Sequence, residues 1–487
     1  MNIVFVASEC VPFASTGGLG DVVGALPKAL ADQGHQVIRI LPLYRSIREG
    51  GFAMERLGLT LEIPVGLMRL HGEVFLTRHD GVDTYLIRRD EFFDRSHLYS
   101  MAHRDYDDNF SRFIFFQKAA VELMDRLGLA ADIVHGHDWQ AGLLPFYLRH
   151  GVMGTGRAAP VPRTLFTIHN LAYQGIFPGS DFPLTGLPYS CFTTEGGMEF
   201  YGQISCMKAG IITADRVSTV SPTYAQEICT EEGGMGLQGV LSARGGAVTG
   251  LLNGIDAKNW DPATDSSIKS TYDLQSVTEG KAANKLHVQR KMKLPQKSDR
   301  PLIGMISRLT EQKGIDLLME VMPELMKLDL QFVLLGSGAE AYEEACRQWP
   351  ELWPDTCAVR IGFDVKLAHR LYAGCDLMLV PSAFEPCGLS QMYAMRYGTL
   401  PVVHRTGGLV DTVIDETEQP GEGTGFSFAP LEAESFLDAI VRGCEAWSDE
   451  SLRLAMQQRC MSRDASWSAS AVEYERLYNE TLSGSIP

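Results

Sequence analysis

"NIVFVASECVPFASTGGLGDVVGALPKALADQG", residues 2–34, decides the fold class. An apolar, β-branched run comes first. A turn rich in Gly and small residues follows, and then apolar positions recur with a helical period. Strand, glycine turn and helix in that order open a doubly wound α/β unit, and such a turn usually holds a phosphate or a sugar. This one carries Asp21 and no positive charge. Whatever it holds must be neutralised from elsewhere.

The same rhythm continues outward. "HQVIRILPLY", "DIVHGHD", "TLFTIHN", "RVSTVSP" and "VTGLLNGID" are near-continuous apolar runs. That is the mark of parallel strands buried on both faces. The rhythm breaks after Asp256 in "AKNWDPATDSSIKSTYDLQS", which is polar and aperiodic. A second series then begins with "PLIGMISRLT", "LQFVLLGSG", "AVRIGFD", "DLMLVPSAF" and "TLPVVHRTGG". After about residue 430 helical patterns take over. The reading is α/β: two Rossmann-like, doubly wound domains with a cleft between them and a C-terminal helical segment. The boundaries are expected at 1–257, 258–465 and 466–487, the last a helix crossing back to the first domain.

Composition narrows the partners. With 487 residues and 45% apolar content, large cores are affordable. A net charge of −17 argues against nucleic acid, which wants a basic surface. No apolar run approaches the roughly 20 residues that span a membrane, and no signal peptide is evident. A cytoplasmic protein is expected. The ten cysteines are scattered, without zinc spacing, and read as reduced apolar fillers.

In doubly wound sheets ligands bind beyond the carboxyl ends of the strands. Those positions carry "STGGLGD", then His137, Asp138 and Trp139, then His169 and Asn170, then Asn253 and Gly254. In the second half they carry Arg308 and Lys313, "PSAFEPCG", and His404, Arg405, Thr406, Gly407 and Gly408. The first half offers neutral hydrogen-bonding groups and carboxylates; the second offers cations and turn glycines. That division fits a sugar on one side and a phosphate on the other. Singly, most of these residues read as caps or tight turns. A dinucleotide oxidoreductase is the competing class, since "GLGDVVG" approaches the nicotinamide fingerprint. Asp21 would repel a pyrophosphate in that turn, and no Tyr-x-x-x-Lys is present.

The segments "HGHDWQAGL", "FTIHNLAYQG", "STVSPTYAQEI", "LLNGID", "SRLTEQKGID" and "PSAFEPCGLSQMYAMRYGTLPVVHRTGGLVDTV" occur in this order. The chain resembles the bacterial glycogen synthases and plant starch synthases that use ADP-glucose. The resemblance implies a GT-B fold and a retaining, metal-independent glucosyl transfer from ADP-glucose to the non-reducing end of an α-1,4-glucan, with no cofactor. It implies that Glu385 is the key carboxylate near the donor glucose. His169 and Asn253 would hold the sugar, and Arg308 and Lys313 would grip the diphosphate. Ser15, Gly17, Gly18, Asp21, Cys387, Gly388, Leu389 and Thr406 would line the donor. Phe363 would pack on the base. Asp138, Tyr99 and Asn170 would lie on the sugar and acceptor side. The alternatives are a GT-B transferase using another nucleotide-sugar such as UDP-glucose, and a non-catalytic glucan or nucleotide-sugar binder.

The sequence departs from the family pattern twice. Ser15 stands where Lys is usual before "TGGL", and Ala383 stands where Arg is frequent before "FEPCG". Arg308, Lys313 and Arg405 are the cations left to neutralise the diphosphate.

Overall fold

The computed structural model describes residues 1–101, 104–151, 160–244 and 248–484. The chain divides into two compact units. One comprises Met1–Gly254 with Trp467–Pro487, the other Ile255–Ser466.

The first unit is built on a nine-stranded sheet. Seven strands are parallel, in the spatial order Val248–Gly250, Arg216–Thr219, Arg163–Ile168, Ile133–His137, Asn2–Val6, Gln36–Pro42 and Val82–Arg88. Asn2–Val6 lies mid-sheet, with Ile3 opposite Val37 on one side and Ile133 on the other. Its apolar side chains are buried, which is why the run reads as continuous rather than alternating. Two antiparallel strands, Met68–His79 and Glu55–Val65, extend the sheet to its edge. They were not anticipated, although "LGLTLEIPV" alternates with period two and Asp80-Gly81 is a hairpin signal.

One layer on this sheet is helix Gly18–Asp32 with helix Trp467–Ser483. Val22, Leu26 and Leu30 of the first meet Trp467, Tyr474 and Tyr478 of the second over Ile3, Phe5 and Leu165. Helix Asn109–Leu127 buries Phe110, Phe113, Phe115 and Phe116 and lies against strand Glu55–Val65. It stops at Gly128, which takes the left-handed conformation at φ 62°.

The second unit has six strands, all parallel, in the order Cys357–Ile361, Gln331–Gly338, Leu302–Leu309, Leu377–Val380, Leu400–His404 and Phe426–Phe428. Order reverses between Leu302–Leu309 and Leu377–Val380, the switch point at which such sheets bind ligands. After Phe428 the regular elements among the described residues are helices: Ala433–Ser448, Glu450–Ser462 and Trp467–Ser483. The polar stretch 256–276 forms no helix or strand but is fastened to this unit. Trp260 stacks on His369 at 3.8 Å and on Tyr393 at 4.1 Å. Buried Asp265 accepts hydrogen bonds from Tyr397 and His369 at 2.6 and 2.7 Å. Among the described residues no helix is long and apolar enough to cross a membrane.

Candidate functional site

In the first unit, the glycine turn is held from beneath by Glu9, which is 4% exposed. Its carboxylate accepts from the Thr16 N–H at 2.5 Å, the Thr16 hydroxyl at 2.8 Å and the Tyr99 hydroxyl at 2.7 Å. Tyr99 also meets the Ser8 hydroxyl at 2.7 Å. So Tyr99 is tied to the floor of the turn. Glu9 was missed in sequence because a lone acid after a strand carries no motif; its partner Tyr99 is 90 residues away.

Above this floor a Cβ on Gly17 or Gly18 would meet no protein atom within 4 Å. Their N–H groups donate to no acceptor among the described residues. The protein's own packing therefore does not demand glycine here, and open space with two free donors is what the turn keeps. Ser15 is exposed and bonds the Gly17 carbonyl at 3.1 Å. Asp21 lies in the first turn of helix Gly18–Asp32. Burial, and then the nearby Glu9 charge, push its carboxyl up to about 6.

Strand Ile133–His137 ends in Asp138, which takes φ 54°, a left-handed conformation unusual outside glycine. Its carboxylate accepts the His169 N–H at 2.7 Å and binds the Asn170 N–H, clamping the end of the next strand. Burial nonetheless raises Asp138 to about 7, with Glu9 adding to the rise. His169 Nε2 pairs with His137 Nδ1 at 2.9 Å. Behind them His135 bonds Thr167 at 2.6 Å and Tyr478 of the C-terminal helix at 2.9 Å. Burial lowers all three histidines, His169 to about 3, so each is a neutral hydrogen-bonding group at pH 7. Asn170 turns its amide oxygen to the Ala172 N–H at 3.0 Å. Asn253, 6% exposed, has an amide oxygen with no partner among the described residues. An unmet buried acceptor costs about 1–3 kcal/mol unless something supplies a donor.

In the second unit, the strand Leu302–Leu309 delivers Arg308, and the turn that follows delivers Lys313. Lys313 Nζ contacts Glu385 Oε2 at 2.5 Å. Ser382 donates to the same oxygen at 2.9 Å, so Oε1 is left without a protein donor among the described residues. Gly314 makes this possible: it sits at φ 69°, and a Cβ there would come within 2.0 Å of the Pro381 carbonyl. Arg308 is exposed and has no ion pair among the described residues. Arg405 is different, since its guanidinium pairs with Glu418 and is already neutralised.

The segment after Glu385 is drawn tight against the second glycine turn. Gly408 N–H donates to the Glu385 carbonyl at 3.1 Å, and a Cβ on Gly408 would meet the Cys387 carbonyl at 2.3 Å. Gly388 takes φ 75°, and the N–H groups of Gly388 and Leu389 precede helix Ser390–Arg396 unengaged by any backbone acceptor among the described residues. Cys387 is buried, and Thr406 stands at the N-cap position of helix Gly407–Thr412. Phe363 is 92% exposed, a full aromatic face in solvent just past strand Cys357–Ile361.

The model for the starch synthase catalytic domain matches residues 2–243, and that for group 1 glycosyl transferases matches 289–459. Glycogen synthase of Geotalea daltonii is 44% identical over 99% of each chain, and that of Anaeromyxobacter sp. is 47% identical over 98% and 99%. The chain belongs to the glycogen and starch synthase family. The catalytic domain of starch synthase IV from Arabidopsis thaliana, solved with ADP and acarbose, superposes with a TM-score of 0.89 at 34% identity over 99% of each chain. A sucrose-phosphate synthase from Thermosynechococcus elongatus, at 19% identity and a TM-score of 0.62, shares the fold. The fold is thus GT-B, and the chain is a glycosyltransferase of this family.

Proposed function

We propose that the chain transfers glucose from ADP-glucose to the non-reducing end of an α-1,4-glucan with retention of configuration. The observation that carries this is the Lys313–Glu385 contact at the switch point, with Arg308, which has no ion pair among the described residues, at the carboxyl end of strand Leu302–Leu309. As the C1–O bond breaks, the departing nucleoside diphosphate gains negative charge. Arg308 and Lys313 take up that charge, and the free N–H groups of Gly17, Gly18, Gly388 and Leu389 supply further donors. Asp21 and Ser15 border the same turn. Glu385 lies beside the donor glucose, where a carboxylate favours positive charge on the sugar. The His169 carbonyl acts on the anomeric face, and the unmet Asn253 oxygen accepts from a sugar hydroxyl. Cys387 and Thr406 hold the donor-side turns, and Phe363 stacks on the base. Asp138 and Asn170 face the sugar and acceptor, and Tyr99 acts through Glu9. The first unit serves the glucan and sugar, the second the nucleotide.

Ser15 and Ala383 favour a second reading, a different nucleotide-sugar such as UDP-glucose, because two cations usual beside the donor are missing. A non-catalytic binder on this fold would not need Glu385, Arg308 and Lys313 together. The ten free thiols fit a cytoplasmic site of action. The test is a donor screen with labelled ADP-, UDP- and GDP-glucose on glycogen, with the product linkage read by NMR. ADP-glucose should be the best donor and the new linkage α-1,4. A β-linked product, or no transfer from any donor, would overturn the proposal.

A further inference from the structure

A second cluster lies on the outer helices of the second unit, away from the residues assigned above. Helix Val277–Lys291 places Asn284, His287 and Lys291 on one side at spacings of three and four. Asn284 docks the chain ahead of the helix: its amide oxygen accepts the Lys269 and Ser270 N–H groups at 2.8 and 3.2 Å. It also donates to the Ser270 carbonyl at 2.7 Å. Arg370, on the neighbouring helix Val365–Gly374, donates to the Ser267 carbonyl at 2.8 Å. Three elements thus bring Lys269, Arg290, Lys291 and Arg370 to the side of the unit that carries half-buried His287, with Arg290 and Lys291 three and four residues along the same helix. Burial, and then these four cations, hold the His287 ring below its usual range.

Three carboxylates that adjoin these segments in sequence are engaged elsewhere. Asp376 pairs with Lys285, Asp265 with His369, and Asp261 with Arg396. No cation of the cluster forms an ion pair among the described residues. In a chain of net charge −17, an uncompensated group of four cations runs against the overall balance. Arg290 and Lys291 complement the C-terminal end of their helix. That accounts for two of the four and not for Lys269 or Arg370, which come from other elements.

We propose that Lys269, His287, Arg290, Lys291 and Arg370 form a binding site for a compact anion carrying two or more phosphate groups. Cations contributed by three segments tied together at Ser267–Ser270, rather than strung along one helix, suit a small multivalent anion better than an extended acidic surface. The guanidinium groups match phosphate oxygens two at a time, and the lysines act as point charges. The site is independent of the transfer reaction proposed above.

The test uses the full chain labelled with 13C at histidine, the His287 signal being assigned through His287→Gln. Inorganic tripolyphosphate should move that signal saturably, and orthophosphate at equal ionic strength should need a much higher concentration. Lys269→Gln and Lys291→Gln, both exposed positions, should each raise the half-saturating concentration about 3-fold and together about 10-fold. Glucosyl transfer should be unchanged in both. Lys313→Ala should leave the His287 response intact, which separates this site from the donor site. The proposal falls if tripolyphosphate does no more than chloride at matched ionic strength, or if the double variant responds like the parent. It also falls if poly-glutamate moves the signal at a lower concentration than tripolyphosphate, since the face would then belong to an acidic protein.

Discussion

Two buried carboxylates and a buried histidine of the first unit have environments that pull in opposite directions. Asp138 is raised to about 7 and Asp21 to about 6, so between pH 4 and these values the folded chain holds protons that the unfolded chain has released. Their contribution to stability therefore falls as pH rises through that window. His169 is lowered to about 3, so below pH 6.5 the unfolded chain takes protons that the fold refuses. Its contribution falls as pH falls. Asp138→Asn keeps an acceptor for the His169 N–H but removes the titration. Its stability relative to the parent should rise by about 1 kcal/mol per pH unit between pH 4 and 7. Denaturant melts at three pH values test this, and parallel curves would refute it. Glu385→Gln and Lys313→Ala test the proposed transfer step. Each should lower kcat by ~10²–10³ while the circular dichroism spectrum is retained; near-normal turnover would remove that residue from the mechanism. Most of these residues were visible in sequence because they stand directly after apolar runs. Glu9 and the pairing of His137 with His169 were not, because their partners come from strands or loops far along the chain.

At the scale of elements, the two glycine turns look alike in sequence, "TGGL" at 16–19 and again at 406–409, but do different work. Gly18 faces open space, whereas Gly408 is pressed against the Cys387 carbonyl. Gly18→Ala should leave Tm nearly unchanged while raising KM for the nucleotide-sugar. Gly408→Ala should lower Tm and activity together. Equal losses of Tm in both would show that the first turn is kept small for packing alone. Ser15 belongs to the same turn. Its exposed position leaves room for a longer side chain, although the Ser15 Cβ already stands 2.6 Å from where a Cβ on Gly20 would be. A charge-assisted hydrogen bond contributes about 1.5–3 kcal/mol, roughly 10- to 150-fold in affinity. Ser15→Lys should therefore lower KM for ADP-glucose and sharpen the ADP-over-UDP preference; no change in either means the missing charge has no functional consequence. The parallel strands were legible because burial on both faces leaves an unbroken apolar run. The antiparallel extension at residues 55–79 was not read, since its outer strand is largely solvated and its leucines blend with charged neighbours.

At the scale of the whole molecule, the first unit is discontinuous. Its core closes only when helix Trp467–Ser483, the last in the chain, is added to strands from the first. Trp467, Tyr474, Leu477 and Tyr478 are each at most 7% exposed. Tyr478 bonds His135, Gln33 donates to the Ser468 carbonyl at 3.3 Å, and His35 reaches Glu475 at 3.3 Å. Burying each large apolar side chain contributes about 1.5–3 kcal/mol, so together the helix supplies an amount comparable with the whole stability margin of a domain, about 5–15 kcal/mol. The second unit lies entirely within Ile255–Ser466. A chain ending at Ser466 should therefore lose hydrogen-exchange protection in strands Asn2–Val6 and Ile133–His137 while keeping it in Leu302–Leu309 and Leu377–Val380. Tyr478→Phe is the milder companion. It removes one buried hydrogen bond and should cost about 1 kcal/mol, seen as a small fall in Tm. If the truncated chain protects its first-unit strands as fully as the parent, the helix is an appendage and the first unit folds without it.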